Sequence, residues 1–390
     1  MIFTIVFWIS VLAIFHTYIL FPILLRILSH GKRTNDVLFV RQDELPKVSI
    51  LLSVLDEEIV IQKKLESLAS LDYPIEKLEV IIGSDASEDK TDIIVNEFIR
   101  KYHHFNFLRF DVRKGKATII NHIVTIAKGE LLVITDANIL HPPESLFNLV
   151  RNFKNNKIGL VDSITISSGI NKGGISIQER SYISREARIK HMEGVLWGTL
   201  MGPSGGFYAL RKVNYHPVPP NFLVDDFYIS MKVLEDGKSA ISDREAVIME
   251  DVSNDLSEEF RRKVRISAGN FQNLAKFGHL LLNPFKPISF SFLSHKVLRW
   301  LGPLFILSAL FSNFFLLDKQ FYTFSLYTQI VLLIIPFIDI ILRNIKIHIV
   351  ILRFITHFYS MNLAILTGFL WYMKGIKTNV WKPTRRNQSQ

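Results

Sequence analysis

Between residues 46 and 140, short runs of bulky apolar residues alternate with amphipathic stretches, and each changeover is marked by acidic or small polar residues. Val48–Val54 (VSILLSV), Leu78–Gly83 (LEVIIG), Phe107–Asp111 and the apolar run into Asp136 (LLVITDANIL, residues 131–140) read as strands. A short apolar run with no polar face suits a strand buried on both sides, as in the middle of a parallel sheet. The intervening segments read as helices: one capped by Asp56-Glu57-Glu58 and ending near Ser70, one ending near Tyr102, and one from Lys114 to Lys128. Acidic residues in a first turn complement the helix dipole. Strands alternating with helices of this length predict parallel pairing through right-handed crossovers, an α/β class. Further on, the pattern predicts a charged helix over Gln178–Glu193, paired glycines ahead of an apolar strand in Gly202–Arg211, a helix starting near Phe227 and a basic helix over Ser257–Lys276.

The two ends follow a different pattern. Residues 1–27 are apolar up to Arg26, too long for a signal-peptide core and without a basic leader, and they predict a retained anchor. Pro22 kinks this helix or brings it out of the bilayer. Arg26, Lys32 and Arg33 follow it and place its C-terminal end in the cytoplasm. The sequence divides into that anchor, a soluble domain over 46–280, an amphipathic interfacial helix over 283–298, membrane helices over 299–373 and a basic tail over 374–390. Arg299–Leu317, Phe321–Leu342 and His348–Tyr372 add to the anchor to make four spans, which puts the tail outside. Lys374, Lys377, Lys382, Arg385 and Arg386 favour the inside. One C-terminal segment is therefore expected not to cross, and the last is the candidate, because Arg353, His357, Ser360 and Asn362 make it the most polar. Those residues either line a lipid or glycan path or make helix-to-helix contacts.

Composition narrows the chemistry. With no Cys, disulfides, thiolate zinc sites and cysteine nucleophiles are excluded. The net charge of +10 would suit a nucleic-acid binder. No nucleic-acid motif accompanies it, however, and the Lys and Arg cluster beside apolar segments, so anionic lipid is the expected partner. In a parallel sheet, ligands bind beyond the C-terminal strand ends. The turns around Glu57, Asp85 and Asp136 should therefore share one edge. Asp136 and Asn138 offer two hard oxygens for Mg²⁺ or Mn²⁺, although the same residues would serve an Asx turn. Adjacent Asp225 and Asp226 raise one another's pKa, which suits one of them for accepting a proton; they would equally suit a helix N-terminus.

VSILLSVLDEE, IIGSDASEDKT, RKGKATIINHIVTIAKGELLVITDAN, GPSGGFYALRK, VDDFYISMKVLEDG and VWKPTRR, in that order, resemble the membrane-bound family-2 glycosyltransferases. The resemblance implies a GT-A fold with a Rossmann-like, mostly parallel sheet facing the cytoplasm, flanked by N- and C-terminal transmembrane helices in the inner (cell) membrane. It implies a nucleotide-sugar donor, a divalent metal, inversion at the anomeric carbon and a lipid-linked or growing glycan acceptor. Residue by residue, it puts Glu57 and Asp85 at the base and ribose, and Lys114 and Lys116 at the phosphates. Asp136 and Asn138 fall at the metal, Gly205 and Gly206 at the acceptor, and Asp226 at the general base with Asp225 in support. Arg265 matches the Arg of the processive enzymes' Gln-x-x-Arg-Trp motif and, with Arg262, is assigned to the donor phosphates. Family members often carry Asn at position 56 and Gly at 86, where this chain has Asp and Ala. Arg262 and Ile266 replace the Gln and Trp, which weighs against a processive, polymer-extruding synthase. An inactive assembly subunit and a transporter are the readings from other classes.

Overall fold

A computed structural model describes residues 1–168, 176–251 and 256–377; the expected tail cations Lys382, Arg385 and Arg386, and the VWKPTRR segment, lie outside the described residues. The chain forms two compact units. One holds residues 28–168 and 183–251; the other holds 1–27, 176–182 and 256–375.

The first unit is built on a seven-stranded sheet in the order β3-β2-β1-β4-β6-β5-β7. Its strands are β1 (Val48–Val54), β2 (Leu78–Ser84), β3 (Phe105–Arg109), β4 (Leu131–Thr135), β5 (Ile158–Ser168), β6 (Phe207–Arg211) and β7 (Ser239–Asp251). Parallel pairs β1/β2, β1/β4, β2/β3 and β5/β7 are joined by β6, which runs antiparallel to β4 and β5. Every residue of β4 is buried, as its unbroken apolar run demands. The early crossover helices are α2 (Ile61–Ala69), α3 (Thr91–Ile99) and α4 (Lys116–Ile126), and the short α5 (Ser145–Val150) follows β4. β3 starts two residues earlier than the pattern suggests. β5 and β7 escape the pattern altogether: their register is irregular between Asp162 and Ile164, opposite the charged Asp243-Arg244-Glu245 segment, so the alternation is broken.

The acidic residues after β1 do not cap α2. Its N-cap is Val60, without a side-chain bond. Instead the turns after β1 and β2 lace together. Asp56 Oδ1 accepts from the Glu88 N–H (2.8 Å) and Glu58 Oε2 from the Lys90 N–H (3.1 Å). In return the Glu58 N–H donates to Asp89 Oδ2 (2.9 Å) and the Glu57 N–H to Thr91 Oγ1 (2.8 Å). Within these loops Asp56 (φ +51°) and Ala86 (φ +60°) are left-handed. Asn and Gly, which the family resemblance leads one to expect at these two positions, tolerate that conformation more readily. Ala86→Gly should therefore relieve about 1 kcal/mol of backbone strain, partly offset by the freer unfolded chain. The expected net result is a thermal midpoint raised by about 2 °C in detergent, read by near-UV circular dichroism; a lower midpoint would refute it.

In the other unit, α1 (Ile2–Leu28) is one of three helices among the described residues that are long and apolar enough to cross a membrane. The others are α12 (Gln320–Asn344) and α13 (Val350–Met373). The interfacial helix expected over 283–298 is not a separate surface element. Residues 287–300 form a run of helical turns, α9 (Pro287–Ser291), a π turn (Phe292–Val297) and α10 (Leu298–Trp300), in which Phe292, Ser294 and His295 are buried. α11 (Gly302–Asn313) follows directly. This series runs antiparallel to α1: Phe290 meets Phe21, Ser294 bonds His16 (2.9 Å), and Phe311 and Phe315 pack on Phe3. Alone, the twelve residues of α11 reach about 18 Å, short of a bilayer core.

α13, the segment singled out as most polar, is long enough to span. Its polar residues make helix-to-helix contacts. Arg353 lies 4.0 Å from Asp339 of α12, and His357 lies 3.1 Å from Glu179 of α6 (Ser176–Trp197). Gly368 packs against α8 (Leu256–Phe277), where an added Cβ would fall 2.6 Å from both Ser267 Cβ and Val264 O.

Candidate functional site

The C-terminal edge of the first unit's sheet gathers the charged residues. Asp136 follows β4, and Asn138 lies two residues on. Lys116 opens α4 and reaches across, its Nζ 2.7 Å from Asp136 Oδ1 and 3.8 Å from Asp225 Oδ2. Burial works against the Lys116 charge, but Asp136, Asp225 and Asp226 outweigh it and hold the amine above its ordinary value.

Asp225 and Asp226 begin α7 (Asp225–Glu235). The N-cap is Val224, so both acids occupy the first turn, where the dipole favours their charge. Asp226 Oδ1 accepts from the Phe227 N–H (2.7 Å). Burial pushes the Asp226 carboxyl up to about 6, helped by Asp225 and opposed by Lys116 and that N–H. Gly205 lies directly against it. An added Cβ there would sit 2.6 Å from Asp226 Oδ2, and its φ of +83° independently favours glycine. Gly206 is instead packed against Ile248 and Ile139, so it serves the sheet rather than an open surface.

Asp85 is buried at the end of β2, and its two oxygens accept the N–H groups of Lys114 (2.6 Å) and Gly115 (2.9 Å). It thereby anchors the turn that presents Lys116, a turn in which Gly115 takes φ +82°. Lys114 does not join Lys116: its Nζ lies over the Phe110 ring (5.4 Å) on the exposed side. Glu57 is half-buried in the turn after β1. Arg262 and Arg265 belong to α8 in the other unit, where Arg262 pairs with buried Glu259 (3.2 Å).

Several polar residues beneath this edge carry no signal in the sequence, because they stand either as single polar residues in apolar strands or among other charged residues on helices. Lys64 of α2 is fully buried under the Asp136 loop. Its Nζ donates to Thr135 Oγ1 (2.7 Å) and the Ile139 carbonyl (2.9 Å) and lies 2.6 Å from His141 Nε2. Burial holds this amine well below its ordinary pKa, with Asp136 opposing. The Tyr208 phenol is also fully buried, and burial together with Asp225 and Asp226 raises its pKa well above the ordinary value. On β5, Asp162 Oδ2 accepts from the Ser204 N–H (2.9 Å) and Oγ (3.1 Å), while Lys190 Nζ donates to the Pro203 carbonyl (3.1 Å).

One parallel-sheet edge thus carries a carboxylate after the central strand, a lysine on it and a half-buried acid pair beside it, on a sheet of the GT-A fold class. The whole-chain fold agrees: a mannosyltransferase, PcManGT from Pyrobaculum calidifontis, solved with GDP-Man and Mn²⁺, superposes with a TM-score of 0.69 over 94% of this chain and 99% of that one, at 20% identity. Residues 49–216 match the glycosyl transferase family 2 model, and the chain carries a family-2 glycosyltransferase domain there. A poly-β-1,6-N-acetyl-D-glucosamine synthase of Staphylococcus epidermidis is 32% identical over 213 residues, 52% of this chain and 50% of that one. A β-monoglucosyldiacylglycerol synthase of Trichormus variabilis is 34% identical over 122 residues, 31% of this chain and 26% of that one. The chain thus spans about half or less of the length of the curated relatives it matches.

Proposed function

We propose that the chain is a membrane-integrated, inverting glycosyltransferase that moves a sugar from a UDP-sugar to a hydroxyl of a lipid-linked or glycan acceptor. The observation that carries this reading is the pairing of a half-buried carboxyl raised to about 6, Asp226, with the Lys116–Asp136 ion pair on one sheet edge. The acceptor oxygen attacks the anomeric carbon as the bond to the diphosphate breaks, and Asp226 takes the acceptor's proton. The departing diphosphate gains charge, and Lys116, at a helix N-terminus, balances it. Asp85 holds the loop that aims Lys116. Gly205 keeps the space beside Asp226 open.

The donor set fits a hard divalent cation. Asp136 and Asn138 offer two hard oxygens, which suit Mg²⁺ or Mn²⁺, ions that take few protein ligands and complete their shell with substrate phosphates and water. When bound, such an ion would neutralise the leaving diphosphate. The glycolipid and polysaccharide products in the relatives' names support a membrane-held acceptor. Arg26 in the last turn of α1, with Lys32 and Arg33 beyond it, supports a cytoplasmic catalytic domain at the cell membrane.

The deciding experiment is UDP release by the purified protein in detergent, across a panel of UDP-sugars with Mg²⁺ or Mn²⁺ and an added lipid or glycan acceptor. Release with one sugar that EDTA abolishes supports the reading; nucleotide binding without transfer from any sugar would favour the inactive assembly subunit. The rate should fall below about pH 6 as Asp226 takes up its proton. A flat profile down to pH 5 would contradict the base assignment.

A further inference from the structure

We propose that Asp162 is a positioning residue for Asp226, holding the Pro203–Gly206 turn against the base through Ser204. The inference rests on Asp226 being the base. Its warrant is a continuous chain of contacts. Asp162 Oδ2 receives both the N–H and the Oγ–H of Ser204. The next residue, Gly205, lies against Asp226 Oδ2 so closely that a Cβ would intrude to 2.6 Å. One residue before Ser204, the Pro203 carbonyl is held by Lys190, itself buried. The turn is thus fixed on both sides of Ser204 by buried charged groups from β5 and α6. Neither acts on substrate; both act on the wall that the base rests against.

Asp162 itself is 2% exposed, and its Oδ1 has no hydrogen-bond partner among the described residues. A buried carboxylate with one bare oxygen favours the protonated form. Burial accordingly pushes Asp162 up to about 7, with Lys190 and the Ser204 donors pulling it down and Asp226 pushing it up. The groups around it are few. Lys190 faces it from α6, Asp226 from α7, and Tyr208 lies opposite on β6. Ser242 lies opposite on β7 and bonds His191 (2.9 Å). Burial, aided by Arg244, pushes His191 down to about 4, so it stays neutral near pH 6. Asp226 has the lower value of the two and ionises first, so its charge then makes Asp162 harder to ionise, and Asp162 is mostly neutral while Asp226 titrates.

The test separates charge from clamp. Asp162→Asn keeps an oxygen for the Ser204 donors and removes only the charge, so the transfer rate and its acid limb should stay close to the wild type. Asp162→Ala loses the clamp, and its rate at pH 8 should fall at least about tenfold below that of Asp162→Asn, with the donor KM unchanged. Ser204→Ala, a milder change, removes one of the two donors and should lower the rate by less. It serves if Asp162→Ala does not fold. An Asp162→Ala rate equal to that of Asp162→Asn, or a wild-type rate in Ser204→Ala, overturns the inference. Infrared titration of the protonated carboxyl bands gives a reading independent of turnover. The band missing from Asp226→Asn should shift in Asp162→Ala and be restored in Asp162→Asn, and an unmoved band in Asp162→Ala overturns the inference even where no sugar is transferred. Wild-type transfer by Asp226→Asn would instead sink the base assignment, so the two failures remain distinct.

Discussion

Asp226→Asn is expected to lower the transfer rate about 10³-fold while leaving UDP affinity within a few-fold, because a positioned base contributes roughly 10²–10⁴ and contributes it only once the proton moves. The substitution is close to isosteric, and the amide oxygen can still accept the Phe227 N–H. Loss of fold is separately excluded by the sign of the pH effect on stability. A carboxyl whose folded pKa is about 6, above its unfolded value near 4, adds stability that is full below pH 4 and is lost as the pH rises through 6. Asn carries no such loss, so the variant should melt at or above the wild-type midpoint at pH 8, and the advantage should shrink towards pH 5. A variant that melts lower at pH 8 would show that the carboxylate is held by contacts an amide cannot replace. Retained transfer would reassign the proton acceptor, with Asp225 the next group to examine.

Asp136→Ala carries the second large effect. It removes the carboxylate that pairs with Lys116 and, on the proposed reading, one of two protein ligands of the metal. Transfer should drop at least about 10²-fold, the scale of losing one preorganised charge at a leaving group. Unlike Asp226→Asn, this change should also weaken UDP binding and abolish its dependence on Mn²⁺, both measurable by titration calorimetry without turnover. UDP binding that stays Mn²⁺-dependent would place the metal elsewhere.

The central strands were legible because burial on both faces leaves an unbroken apolar run, and β4 into Asp136 is the clearest case. The resemblance was legible because several weak motifs occur in order, and the fold agrees with it. What the sequence did not disclose is what lies one layer below the edge. Asp162 looks like an interruption in an apolar segment, and Lys64 like one more solvated charge beside Lys63 on an amphipathic helix. Only the fold shows that one reaches Ser204 and the other Thr135 and His141. The acids after β1 looked like a helix cap because first-turn acids usually serve that role; in the fold the neighbouring turn claims them first. Helix boundaries in the membrane part were obscured for another reason. Hydropathy reports a stretch's affinity for lipid and is silent on where a helix breaks, as at Leu301 between α10 and α11.

Lys64 has a chemical consequence of its own. An amine that burial holds well below its ordinary pKa has a larger unprotonated fraction than a surface lysine, yet this one has no exposed surface. Acylating reagents should modify surface lysines within minutes and spare Lys64 until the Asp136 loop above it opens. The rate at which Lys64 acquires label, followed by peptide mass spectrometry, then becomes a clock for the breathing of that loop. UDP added with Mn²⁺ should slow that clock.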